Sequence, residues 1–264
     1  MRRTMAVGFL ALMTTLAGAQ TGATNNAPQE VIANGGLLHT LLAAPVAGQP
    51  YSAVQVRRMK RVLADGTTIS RQGHHSVARD SAGRVRVERR MEKAQDGQPE
   101  TVMVFVLDPV AHTMTIWTTG AKAQKVATLF RLPEKTETVK PAAAQPRAAD
   151  SRPQPVVTTE DLAPDTLHGL PVTVRKVTTV VPIGRSGNDA PITKTHETWT
   201  SPDLKLVMKE QWEDPRSGTE TVELDQFSRA EPDAALFRAP AGYSVKDIRQ
   251  TLKELQERLD QMPN

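Results

Sequence analysis

Between residues 197 and 243 the chain runs as strand-like segments parted by strong turn signals and closed by a short, apolar-anchored exit. Leu204, Leu206, Met208 and Trp212 share one parity, with Lys205, Lys209 and Gln211 on the other. That alternation is the mark of a half-buried antiparallel strand. Asp214-Pro215-Arg216-Ser217-Gly218 is the best-formed turn in the chain, since proline presets φ and glycine admits φ > 0. Residues 219–227 read as the returning strand, and 233–237 as a single helical turn whose Leu236 and Phe237 plug the sheet before Pro240. A chain so punctuated is held to a β-sheet.

The upstream pattern agrees. Residues 52–63 carry Val54, Val56, Met59 and Val62, and Asp65-Gly66 then offers a hairpin turn. Residues 67–79 and 84–91 flank a second turn, Asp80-Ser81-Ala82-Gly83. In 84–91 Val85, Val87 and Met91 take one parity and Arg84, Arg86, Glu88 and Arg90 the other, with Arg89 the one charge on the apolar side. Asp96-Gly97 makes another turn, and the apolar run 101–107 predicts a central strand covered on both faces. Residues 113–119, with Trp117, predict the strand that follows. The stretch 133–164 is too rich in Pro and Ala to pack, and reads as a linker or insertion. Strand pattern resumes at 167–181, pauses at the turn-rich 182–191 and returns at 192–200.

The expected organisation is a signal peptide over 1–19, a leader over 20–50, the first half of a β-sheet domain over 51–132, the linker over 133–164, the second half over 165–243 and an amphipathic helix over 244–264. Arg2-Arg3, the apolar run 5–16 and Ala17-Gly18-Ala19 have the layout of a secretory signal cleaved after Ala19, too short in its apolar part to span a bilayer. Within the leader, residues 37–42 read either as a flexible contact point or as a short helix that docks on the sheet. The two β-rich halves read as one interrupted sheet or as two domains; neither half alone closes its edges, which favours one sheet. The fold class expected is mainly β, a curved antiparallel sheet or half-open barrel with a C-terminal α-helix. Ser244 is the expected cap of that helix, and Val245, Ile248, Leu252, Leu255 and Leu259 its apolar stripe. The stripe is expected to pack on the sheet or on a partner.

Function classes narrow by exclusion. The 264 residues hold no cysteine, which removes disulfides, thiolate metal sites and a cysteine nucleophile. Net charge is +4, but 33 Lys and Arg are interspersed with 29 Asp and Glu. The basic run 84–90 has no aromatic residue, so no nucleic-acid partner is expected. No other stretch is apolar and long enough for a transmembrane helix. His74 and His75 are adjacent and so point to opposite faces of a strand, and no metal-ligand spacing occurs elsewhere. Neither a G-x-S-x-G elbow nor a phosphate loop is present. No enzyme activity, metal or cofactor is expected. The remaining idea is an apolar groove suited to acyl chains, lined by Phe105, Trp117, Met208 and Trp212; the competing reading is that these residues fill the core. The alternative role is a structural or interaction module of the cell envelope, with Ile248, Leu252, Leu255 and Leu259 as its contact.

Trp199, Ser201, Pro202, Leu204 and Leu206, then Asp214, Pro215, Ser217 and Gly218, then Glu231, Pro232, Asp233, Leu236, Phe237, Pro240, Gly242 and Tyr243 form an ordered set of motifs. This set resembles the C-terminal half of a family of secreted, uncharacterised bacterial proteins of Acidobacteria type. More loosely, the layout is similar to the periplasmic lipoprotein-carrier superfamily, LolA-like proteins and their sensor relatives. The resemblance covers roughly 51–245 and implies a half-open β-barrel holding an apolar ligand, a lipid or lipoprotein as partner, a periplasmic or secreted location and no catalytic residues.

Overall fold

The computed structural model describes residues 46–90, 101–120, 123–132, 152–251 and 253, all within one unit, Ala43–Asn264. The expected signal peptide, most of the leader, Met91, Asp96-Gly97, and Leu252, Leu255 and Leu259 lie outside the described residues.

Among the described residues twelve strands form a single sheet that is not closed into a barrel. They are β1 (Tyr51–Val62), β2 (Thr68–Arg79), β3 (Val85–Arg90), β4 (Val102–Asp108), β5 (Thr113–Thr119), β6 (Val126–Arg131), β7 (Val156–Leu167), β8 (Leu170–Val181), β9 (Ile192–Ser201), β10 (Leu206–Asp214), β11 (Gly218–Ser228) and β12 (Ser244–Asp247). The spatial order is β12-β6-β5-β4-β3-β2-β1-β11-β10-β9-β8-β7. The pairings are antiparallel except β12 with β6. Two meanders, β1–β6 and β7–β11, join where β1 pairs with β11, so one sheet takes strands from both sides of the Pro/Ala-rich stretch.

The turn chemistry accounts for the local form. Between β1 and β2, Gly66 takes φ 83° and the Asp65 carboxylate accepts the Thr67 N–H at 2.9 Å. Between β2 and β3 the Asp80 carboxylate accepts the Arg84 N–H at 2.8 Å and pairs with the Arg84 guanidinium at 2.6 Å. Between β10 and β11 the Asp214 carbonyl accepts the Ser217 N–H, and Gly218 takes φ 93° with its Cα against the Lys60 backbone of β1.

Because directly opposed residues share a face, register divides the side chains into two sets. On one face Val104 stands opposite Trp117, and Trp117 opposite Ala127; these pack with Ala78, Val106 and Phe237. Covering them is the segment after β11. Asp233 caps a 3-10 turn, Ala234–Phe237, by accepting the Ala235 N–H at 2.8 Å; Arg86 donates to the Leu236 carbonyl; and the Tyr243 hydroxyl donates to the Thr118 carbonyl at 2.8 Å. Phe237 fills the core as the pattern predicts, but Leu236 is 40% exposed, because its backbone and not its side chain faces the sheet through Arg86.

Four local expectations are corrected. The linker pattern ends before Pro164: residues 156–167 form β7, whose bulge between Leu162 and Asp165 leaves Ala163 and Pro164 outside the ladder, which is how an edge strand accommodates proline. Residues 167–181 are not strand throughout: Leu167 ends β7, His168 and Gly169 turn the chain at φ 52° and 75°, and β8 begins at Leu170. Strand β10 starts at Leu206, not Leu204, and gains a residue against β9 between Val207 and Lys209, which breaks the parity of Leu206, Met208 and Trp212. Ser244 does not cap the C-terminal helix; it opens β12, its N–H donating to the Lys125 carbonyl at 2.9 Å. Helix starts at Ile248, with Asp247 as the residue whose carboxylate accepts the Arg249 N–H at 3.0 Å.

Candidate ligand-binding site

The face opposite the Phe237 segment carries a continuous apolar tract. Ala53, Val77, Val87, Phe105 and Ile116 stand opposite one another in successive strands from β1 to β5. The neighbouring row runs Val85, Leu107, Met114 and Phe130 across β3 to β6. Ala53, Val77, Val85 and Val87 are buried, whereas Phe105, Leu107, Met114, Ile116 and Phe130 are half-buried. From β2 to β6 the tract crosses four strand spacings, about 19 Å at the usual inter-strand distance.

A polar row borders this tract on its other side. Gln55 of β1, His75 of β2, Arg89 of β3 and Met103 of β4 are successively opposed. Gln55 is buried, and the Nδ1 atom of His75 is buried without a hydrogen-bond partner. Burial, and after it the nearby cations Arg89, Arg57 and His74, pushes the His75 imidazole below its ordinary range, favouring its neutral form. Arg57, on the same face, pairs with Glu220 at 2.7 Å. His74 points to the other face, where it stands opposite Val56, as adjacent strand residues must.

The four residues expected to line a groove do not converge. Phe105 belongs to the apolar tract. Trp117 is on the opposite face, 2% exposed beneath Phe237, with the Arg86 guanidinium 5.4 Å from its ring centre. Met208, 1% exposed, packs with Val172, Val174 and Trp199 in a second cluster. It also forms part of a cleft of about 220 Å³ between the β7–β8 hairpin tip and β11, with Leu167, His168, Lys209 and Glu223. There His168 contacts the Leu224 carbonyl at 2.6 Å, and the Lys209 ammonium lies 4.4 Å over the Trp199 ring. Trp212 stacks on His196 with centroids 4.8 Å apart, and His196 Nε2 lies 3.3 Å from a Glu210 carboxylate oxygen. The lysine over Trp199 and the histidine on Trp212 place those two tryptophans on opposite faces, since 199 and 196 differ in parity. Of the helix stripe, Val245 lies in β12 and is 57% exposed, and Ile248 is half-buried at the helix start.

Sequence reasoning passed over Gln55, His75 and Arg89 as a group. The usable signal was Arg89, the single charge on the apolar parity of its strand; its neighbours in space come from β1 and β2, and only register unites them.

No family model matches the chain, and no curated protein matches it. Solved structures similar to it include an uncharacterized conserved protein from Thermus thermophilus, at TM-score 0.35 and 13% identity over 83% of this chain and 98% of that one. Another is MucB in complex with MucA(peri), at TM-score 0.31 and 12% identity over 77% of this chain and 58% of that one. A third is a putative outer membrane lipoprotein-sorting protein domain from Vibrio parahaemolyticus, at TM-score 0.26 and 9% identity over 72% of this chain and 90% of that one. At these scores the likeness is loose and carries no function to this chain.

Proposed function

We propose that this is a non-enzymatic periplasmic or secreted protein that holds a lipid or lipoprotein acyl chain against the Phe105 face of its sheet. One observation carries the reading. The tract from Val77 through Val87, Phe105 and Ile116, with Leu107, Met114 and Phe130 beside it, is apolar across five strands, and its Phe105, Leu107, Met114, Ile116 and Phe130 side chains keep part of their surface exposed. Each methylene taken from water onto such a surface is worth about 0.8 kcal/mol, so a long chain lying across several strands gathers enough free energy for stable binding. The opposite face differs: Phe237 and Tyr243 of the chain itself pack onto Trp117 and Val104. The secretory pattern of the first nineteen residues supports the location.

The test is lipid analysis by mass spectrometry of the protein purified after export to a bacterial periplasm. Wild type is expected to carry acyl lipid, Phe105→Asp and Ile116→Asp to lose it with the β-sheet circular dichroism unchanged, and Leu236→Asp, on the opposite side, to retain it. A lipid-free wild type, or full retention in Phe105→Asp, sinks the proposal.

A further inference from the structure

The polar row beside the apolar tract holds two polar groups without a partner among the described residues. His75 and Arg89 are directly opposed on β2 and β3, which sets their Cβ atoms about 5 Å apart. Among the described residues Arg89 forms no ion pair or hydrogen bond, unlike Arg57, which is held by Glu220. The buried His75 Nδ1 has no partner either, and a buried polar group left unsatisfied is destabilising. A cation opposed to a second group that becomes cationic is a destabilising pair on a sheet. Nothing in the fold requires it, since an apolar residue at 89 would continue the parity of Val85 and Val87. Both groups sit one row from Val77 and Val87, so an amphiphile with its chain over Phe105 has its head at their level.

We propose that this row is the head-group site for an anionic amphiphile, its carboxylate or phosphate taken by the Arg89 guanidinium and by an N–H at Nδ1 of the His75 imidazole. The inference rests on the reading of the Phe105 face as an acyl surface. Arginine supplies a planar fork that matches either anion. The imidazole donates without becoming charged, as its burial and then its cationic surroundings favour. Gln55, buried beside His75, fixes the row's other end.

The experiment titrates the full-length protein with dodecanoic acid, dodecyl phosphate, dodecanol and dodecylamine below their micellar concentrations at neutral pH. Wild type, Arg89→Gln, Arg89→Lys, His75→Phe and Phe105→Asp are compared. The two anionic amphiphiles are expected to bind at least about ten-fold more tightly than dodecanol, a difference of about 1.4 kcal/mol. Arg89→Gln should erase that preference while leaving dodecanol affinity unchanged, and Arg89→Lys should restore part of it. His75→Phe should weaken the anions alone. The ratio of acid to phosphate binding distinguishes a fatty acid from a phospholipid-type head. Equal binding of dodecanol and dodecanoic acid, or an anion preference that survives Arg89→Gln, overturns the head-group site; the acyl reading then still stands if Phe105→Asp abolishes all binding. Failure of all four amphiphiles to bind wild type overturns both.

Discussion

Met208 and Trp212 lie four residues apart on β10, yet Met208 packs against Trp199 on one face of the sheet while Trp212 stacks on His196 on the other. Strict alternation gives residues four apart the same face; the extra residue between Val207 and Lys209 cancels it. The bulge separates two aromatic environments that the sequence pattern merges. Met208→Ala should therefore cost about 2–5 kcal/mol of stability, the range for a truncated core side chain. Trp212→Ala, half-buried on the other face, should cost less. Urea unfolding of both variants checks the order; a larger loss for Trp212→Ala contradicts the assignment of faces.

The turn glycines make a sharper contrast. A Cβ at Gly218 would collide with the Lys60 carbonyl oxygen and lie 2.9 Å from the Arg61 Cα, at a φ of 93°. At Gly66 the φ is 83° but nothing lies within 4 Å. Gly66→Ala should cost about 1 kcal/mol from backbone strain alone, and Gly218→Ala well above that because β1 must move. Equal melting temperatures for the two variants would show that the β1–β11 contact is looser than described.

Acid and alkali should each find one group. Burial raises the Asp214 carboxyl, but hydrogen bonds from Arg216 and Lys194 outweigh it and bring the group down to about 2. A lowered carboxylate stabilises the fold above its unfolded value, near 4, and that contribution is lost as pH falls toward about 2. At the other end, burial pushes the Tyr51 phenol up to about 12, against the opposing pull of Arg79, whose guanidinium lies 5.0 Å from its ring centre. Its neutral form is the one the fold holds, so stability is intact below the unfolded value near 10 and declines as pH rises from there toward about 12. Tyr51→Phe should flatten the alkaline limb and Asp214→Asn the acid limb of a pH–stability curve; unchanged limbs would contradict these assignments.

Strand β7 is the exposed edge of the sheet. Val156 and Val157 are 63% and 60% exposed, and Asp161 meets Arg175 only in an exposed pair at 2.9 Å. An edge with so little packing opens at low free energy. Hydrogen exchange should release the amides of 156–161 well before those of Val77 and Val87, and slow exchange along β7 would mean that its outer edge is paired.

Much of the fold was legible because it is written in local chemistry: Asp65-Gly66, Asp80 to Gly83 and Asp214 to Gly218 are turns whose residues determine their φ angles. The errors have local causes too. His168-Gly169 takes the backbone of a hairpin turn without the Asn-Gly or Asp-Gly pair that announces one, and Ser244 offers a helix cap that pairing of β12 with β6 overrides. The candidate site was less legible. Phe105 could be singled out as a large ring in an apolar strand, but its distinction from Trp117 depends on which face the Phe237 segment covers. Gln55, His75 and Arg89 come from three strands, and a single sequence holds no signal for the register that aligns them.

Whether an acyl chain lies on the Phe105 face is decided most plainly by photolabelling. The full-length protein is irradiated with a fatty acid bearing a diazirine in its chain, and the adducts are located by peptide mapping. Adducts are expected on Phe105, Leu107, Met114 and Ile116, and to be competed away by unlabelled fatty acid. Adducts confined to the Phe237–Trp117 side or to the Met208 cleft, or labelling that unlabelled fatty acid does not compete, would contradict it.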